Sequence, residues 1–268
     1  RIVPRLFGWI VEQTTTFVLD LADSWRGQPD PILRIEDGVD PMRGSRSVAV
    51  MVQFNPTGAV SEMVRRQIAT YRDLGFAVIL VSNSPDFPEE DWQAARAEAA
   101  LVVHRRNRGL DFGAWKDLVP VALERWPDAE ELLIVNDSIL GPIRPLAPVV
   151  ETMRAGGPGF YGMLESTPGG PHFQSWFLLV RGRAAVADAA GFLAQLLISR
   201  SKWKIIQRGE LRFARYMRWK GHRVAAVHGY DALVDIALGD TAERAYLDRA
   251  IPIWMHAPGA GSPRRLLI

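Results

Sequence analysis

The amino-acid sequence predicts an α/β fold, a mixed sheet flanked by helices, and three observations predict it. Short apolar, β-rich runs recur through the first half of the chain, and amphipathic helical stretches separate them. After about residue 140 the spacing changes, and two strand-like runs lie close enough to join as a hairpin or a mixed-sheet edge.

Residues 1–45 read as an N-terminal helical arm. A helix is expected from about Leu6 to Ala22, broken by Gln28-Pro-Asp-Pro31, and Asp37-Gly-Val-Asp-Pro41 reads as a turn or loop. Residues 46–268 read as one compact domain. Its first strand, Ser47–Phe54, is nearly all apolar, as a strand buried on both faces should be. A helix over about Ala59–Leu74 places Val60, Met63, Val64, Ile68 and Tyr71 on one face, and Gly75 stops it. Phe76–Ser82 is the second strand, Glu89–Ala99 a short helix and Leu101–His104 the third strand. The loop Arg105–Leu110 leads into a helix over Asp111–Arg125, and Glu131–Asn136 is the fourth strand. This alternation is that of a Rossmann-type parallel sheet. Phe160–Glu165 and Phe173–Val180 are further strands around a Pro/Gly turn. Helices follow at Ala184–Ile198 and Lys202–Lys220, then a last strand at Val224–Val227.

Composition narrows the function. With 48% hydrophobic and 23% charged residues the chain is globular, and its 268 residues can bury a large core. There is no cysteine, so disulfides and thiolate-held metals are excluded, and a reducing, cytoplasmic compartment fits. Lys+Arg 32 against Asp+Glu 30 gives +2, so no nucleic-acid partner is expected. No run approaches the roughly 20 apolar residues of a membrane span. Arg1–Val11 has a basic start but is too interrupted for a signal peptide. The chain begins at Arg1 rather than Met, and further domains of a larger synthase are expected around it.

Four segments carry candidate chemistry. The fourth strand ends in Asn136-Asp137-Ser138, at the carboxyl end where open α/β sheets bind ligands. One carboxylate there, with substrate phosphates and water, can hold Mg²⁺ or Mn²⁺, and the same residues also suit a plain turn. In the loop before Asp111, Arg105, Arg106 and Arg108 can meet phosphate, or be solvated beside a helix capped by Asp111. Glu165 and His172 flank the Pro/Gly turn, and either can act as a base. From Lys202 to Arg223 there are eight Lys/Arg and one acid, Glu210, which falls amid the apolar stripe Trp203, Ile206, Phe213 and Met217. An inward carboxylate is costly unless paired or used, so Glu210 is a site candidate or half of a structural ion pair. The basic face suits a diphosphate or an anionic membrane surface.

Several pieces occur together and in order: Val48–Phe54, Val81-Ser-Asn-Ser84, Asn107-Arg-Gly-Leu-Asp-Phe-Gly-Ala-Trp-Lys116, Asn136-Asp-Ser-Ile-Leu-Gly-Pro142, Tyr161–Ser166 and His172-Phe-Gln-Ser-Trp-Phe177. This set resembles the rhamnan synthesis protein F family of bacterial polysaccharide glycosyltransferases over about residues 47 to 230. Two departures stand out: Gln53 where the family often has His, and Ala250-Ile-Pro-Ile-Trp254, a weak echo of the family's C-terminal segment. The resemblance implies a GT-A-like fold, a nucleotide-sugar donor such as dTDP-rhamnose, and a growing polysaccharide, O-antigen or lipid-linked glycan as acceptor. It implies that Gln53, Asn83, Asn107, Gly109, Asp111, Asn136, Asp137 and Ser138 line the donor pocket. Asp137 would hold a divalent metal, Gln174 and Trp176 would meet the acceptor, and Glu165, Glu210 and His172 would be catalytic. Transfer with inversion is expected, on a protein in the cytoplasm or peripheral to the inner membrane. The alternative is a non-catalytic carbohydrate-binding or scaffolding module of a larger synthase.

Overall fold

The computed structural model describes residues 14–22, 30–167 and 169–239. The expected helical residues 6–13, Gln28 and Pro29, Pro168, and Ala250–Trp254 lie outside them.

Nine strands form one mixed sheet: β1 (Ile32–Asp37), β2 (Ser47–Gln53), β3 (Ala77–Ser82), β4 (Leu101–Arg105), β5 (Glu131–Asn136), β6 (Gly159–Ser166), β7 (His172–Phe173), β8 (Phe177–Arg181) and β9 (Val224–His228). Their order is β1-β4-β3-β2-β5-β8-β6-β7, with β9 also on β6. β4, β3, β2 and β5 are parallel; β1, β8 and β7 run against their neighbours, and β9 runs parallel to β6. The mixed α/β fold is thus the one the sequence predicts.

The helices are α1 (residues 14–22), α2 (Glu62–Asp73), α3 (Glu89–Glu98), α4 (Leu110–Arg125), α5 (Ala147–Ala155), α6 (Arg183–Ala194), α7 (Lys202–Arg208), α8 (Glu210–Trp219) and α9 (Tyr230–Gly239). Two cores lie on opposite faces of the sheet. Val48, Val50 and Val52 of β2 pack with Trp115 and Leu118 of α4, Ala189 and Leu193 of α6 and Phe213 of α8. Ala49 and Met51 of the same strand pack with Val64 and Ile68 of α2, Trp92 of α3 and Met153 of α5. Alternate residues of one strand feed both cores, which is why β2 reads as an unbroken apolar run.

Several elements differ from the expectation, among them α9, which the sequence pattern does not anticipate. Ile32–Asp37, placed in the arm, is an edge strand, with Ile35 opposite Val103. Its outer side is charged, as edge strands usually are: Arg34 pairs with Glu36 and Glu89 and lies 4.1 Å over the Trp92 ring. Helix α5, unanticipated, follows the Gly-Pro loop. Phe173–Val180 is two strands, because residues 174–176 bend away from the ladder and the Ser175 N–H goes to the Glu210 carboxylate, 3.2 Å away. Lys202–Lys220 is two helices broken at Gly209. A Cβ there would sit 2.7 Å from the Phe112 ring, so only glycine lets α7 and α8 close over α4.

Candidate functional site

The carboxyl ends of β5 and β6, the start of β8, the first turn of α4 and the α7–α8 junction enclose a cleft of about 460 Å³. This is where a parallel α/β sheet leaves room for a ligand.

One wall is built on β5 and α4. The chain enters α4 through two left-handed residues, Gly109 (φ 73°) and Leu110 (φ 53°). Gly113 then lets the loop settle on the helix, since a Cβ there would stand 1.8 Å from the Arg108 carbonyl oxygen. This sets Asp111 against the end of β5, where its carboxylate accepts from the Asn136 amide at 2.7 Å. Burial pushes the Asp111 carboxyl up to about 6; the Asn136 bond opposes that, the nearby Asp137 charge adds to it, and Lys202 and Arg105 oppose it. Asn136 also accepts from the Ser138 N–H at 3.1 Å, which fixes both residues at the rim.

The opposite wall carries Glu210, at the start of α8. Its carboxylate accepts from the Ser175 N–H and the Ser175 hydroxyl, and its other oxygen is 3.6 Å from His172 Nε2. His172 Nδ1 lies 2.8 Å from the Gly170 carbonyl. A carbonyl only accepts, so Nδ1 carries the proton there and Nε2 is presented to Glu210. A hydroxyl has one proton to give, so an acceptor hydroxyl beside this pair would donate it to the Glu210 carboxylate. Trp176 donates to the Gln174 amide oxygen at 3.2 Å and closes the floor.

Seven of the residues singled out in the sequence therefore line one cleft: Asp111, Asn136, Ser138, His172, Gln174, Trp176 and Glu210. Glu210 is paired with serine and histidine, not with an arginine.

The others lie elsewhere. Asp137 is next to the cleft but turns its carboxylate back to cap the Phe54 N–H at 3.0 Å, and burial raises its pKa. Gln53 is buried and donates to Ser82, and Asn83 holds Arg105 and the Leu110 carbonyl. Gly109 faces Ile198, and Asn107 is exposed on the loop. Glu165 accepts from the Tyr230 N–H at 3.2 Å, at the start of α9. Two of the loop arginines are braces: Arg105 is fully buried on Asn83, Asp117 and the Arg108 carbonyl, and the exposed Arg106 holds the Asp30 carbonyl. Burial lowers the pKa of Arg105, and the Asp117 carboxylate works against that.

Lys202, Trp203 and Ser175 are among the lining residues not singled out for this cleft. Lys202 was one charge in a basic run, and Trp203 was assigned to an apolar stripe that assumed one helix. The break at Gly209 turns Trp203 outward, half exposed at the cleft mouth. A glycine within an otherwise helical stretch was the available signal.

Among the described residues no three His, Asp or Glu side chains cluster as a metal cage. Two acids, Asp111 and Asp137, interact at the end of β5, and burial holds both above the ordinary aspartate range. Mg²⁺ or Mn²⁺ commonly uses one or two carboxylates and takes its other ligands from phosphate and water, so these residues fit such an ion.

Fold and cleft together define a mixed α/β protein with a carboxylate-bearing cleft at the carboxyl ends of its strands. The rhamnan synthesis protein F model matches residues 78–231, more than half of the chain, and the chain belongs to that family. It is 25% identical over 224 residues to the uncharacterized protein y4gN of Sinorhizobium fredii, covering 78% of this chain and 57% of y4gN. The chain thus spans little more than half the length of that relative. A crystal structure from Desulfovibrio desulfuricans G20, described as a nucleotide-diphospho-sugar transferase, aligns over 68% of this chain and 80% of its own. The identity is 12% and the TM-score 0.39.

Proposed function

We propose that this protein is a glycosyltransferase that moves a sugar from a nucleoside diphosphate sugar to a glycan acceptor. Family membership supports the reading. The observation that carries it is the pairing of two unlike polar walls across one cleft, Asp111–Asn136 on one side and Glu210 with His172 and Ser175 on the other.

The chemistry follows from those walls. Lys202 supplies positive charge toward the donor diphosphate, and Trp203 and Trp176 offer flat apolar faces to base or sugar. The Glu210 carboxylate takes the proton of the acceptor hydroxyl as that oxygen attacks the anomeric carbon. The bond from that carbon to the diphosphate oxygen breaks, and the diphosphate leaves with the electron pair. Ser175 fixes the rotamer of Glu210, and His172 Nε2 borders the other carboxylate oxygen at 3.6 Å. Asp111 and Asp137 are the residues that would hold a divalent ion, which when bound neutralises charge on the diphosphate.

The finer reading is a rhamnose donor, dTDP-rhamnose, used with inversion to extend a polysaccharide or O-antigen chain. Incubation with dTDP-, UDP- and GDP-sugars and a glycan acceptor tests it, with Mn²⁺ present and absent. Transfer from one donor, lost in Glu210→Gln, is the expected result. Binding without turnover would support the carbohydrate-binding or scaffolding module instead, and retained anomeric configuration in the product NMR would contradict inversion.

A further inference from the structure

We propose that the outer face of α8, together with α1, docks on an anionic phospholipid bilayer. This surface lies outside the transfer cleft and the proposal stands apart from the transfer reading.

The charge on this face is uncompensated. Arg212, Arg215 and Arg218 are exposed, and none meets a carboxylate among the described residues. Several arginines elsewhere do have a partner: Arg46, Arg65, Arg66 and Arg183 each sit against an acid. On α8, positions 212, 215 and 219 share one side, and Arg208, the last residue of α7, lines the same groove. Arg208 uses its place to anchor α1, pairing with the buried Asp20 at 3.1 Å. Arg212 and Arg215 are left pointing outward, beside the 77% exposed indole of Trp219.

The neighbouring surface is apolar. Between α1, α6 and α8 lies a groove of about 800 Å³ lined by Phe17, Phe192, Tyr216, Trp219 and the stems of Arg212 and Arg215. On α1, Phe17, Val18 and Leu19 are each about half exposed, which water alone does not favour. Aromatic rings and aliphatic chains rimmed by arginine match the boundary between headgroups and acyl chains. The side-chain acceptors of the groove are the Gln195 amide and the Tyr216 hydroxyl, few for the many hydroxyls of a glycan. No helix among the described residues is long and apolar enough to cross a membrane, so the contact is made on the surface.

The position of this face gives the contact a use. Gly169 and Leu211 border the transfer cleft and also a trough that holds Arg208, Arg212 and Arg215. A bilayer on α8 would lie on the side to which the cleft extends.

Flotation of the full chain tests the proposal, using phosphatidylcholine vesicles with and without a third of phosphatidylglycerol, at low and high salt. Binding to the anionic vesicles at low salt, and its loss at high salt, is expected. Arg212→Gln with Arg215→Gln should lower partitioning roughly thirtyfold, about fivefold per cation. Phe17→Ser should weaken it further. Sugar-nucleotide binding by the double variant should stay at the wild-type level, so the two readings fail separately. No flotation with anionic vesicles, or equal flotation of the double variant, would overturn the proposal. So would a vesicle-free dimer, seen by light scattering, that the double variant splits, since a second copy would then cover the face. Loss of sugar-nucleotide binding in the double variant would overturn it too, by placing these arginines in the donor site.

Discussion

Two polar groups flank the loop between β4 and α4, and they behave in opposite ways. Arg105 is fully buried and spends itself on Asn83, Asp117 and the Arg108 carbonyl, at 2.7, 2.7 and 2.9 Å. Asp111 has one side-chain hydrogen-bond partner, Asn136, and borders the cleft with Glu210 across from it. The first group braces the loop; the second keeps capacity for a ligand. Residue type did not separate them. The count of satisfied partners and the presence of a cavity did.

The largest effect that sharpens this contrast is on turnover. Glu210→Gln keeps an oxygen for the Ser175 hydrogen bonds but cannot take a proton. Its transfer rate should fall about 10²–10⁴-fold with the thermal midpoint nearly unchanged, as assay and calorimetry together would read. A variant that unfolded instead would make Glu210 a brace like Arg105.

Next comes the brace itself. Arg105→Ala leaves the buried Asn83 and the partly buried Asp117 without their partner and should cost at most about 3–5 kcal/mol in urea unfolding. A stable variant that merely lost donor binding would reverse the comparison.

Third is the pH dependence of Asp111. Its folded-state pKa is about 6 against an ordinary 3.8, so the native state holds that proton more tightly than the unfolded chain does. Stability is therefore greatest below the lower value, falls as pH rises between the two, and stays reduced above the higher one. A shift of about two pKa units sets a ceiling of about 3 kcal/mol, less what screening removes. Asp111→Asn should gain on the wild type across that window and show a flatter pH profile by chemical denaturation. Equal profiles would mean that Asp111 is not perturbed.

Much of this was legible in the sequence. The buried parallel strands announced themselves because both faces are apolar, and Asp111, Asn136, His172 and Glu210 could be named before any coordinates. Three things could not be read. Ile32–Asp37 is a half-buried edge strand with charges on its outer side, so no long apolar run marks it. The kink at Gly209 depends on the Phe112 ring, nearly a hundred residues earlier, and that kink brings Lys202 and Trp203 to the cleft. Glu165 stands beside a strand end as a site residue would, yet its carboxylate is taken by the start of α9, a contact set by the pairing of β6 with β9.

Glu165 gives the smallest effect. Glu165→Ala should lose about 1 kcal/mol from a missing cap and leave transfer at the wild-type rate. A large loss of rate would move the base from Glu210 to Glu165.

The most direct test of the central claim, that the cleft at the end of β5 holds the donor, is calorimetric titration with dTDP-rhamnose and Mn²⁺ of the wild type, Lys202→Glu and Arg215→Gln. The account expects one saturable site, lost in Lys202→Glu and kept in Arg215→Gln. Unchanged binding in Lys202→Glu, or loss of binding in Arg215→Gln alone, would contradict it.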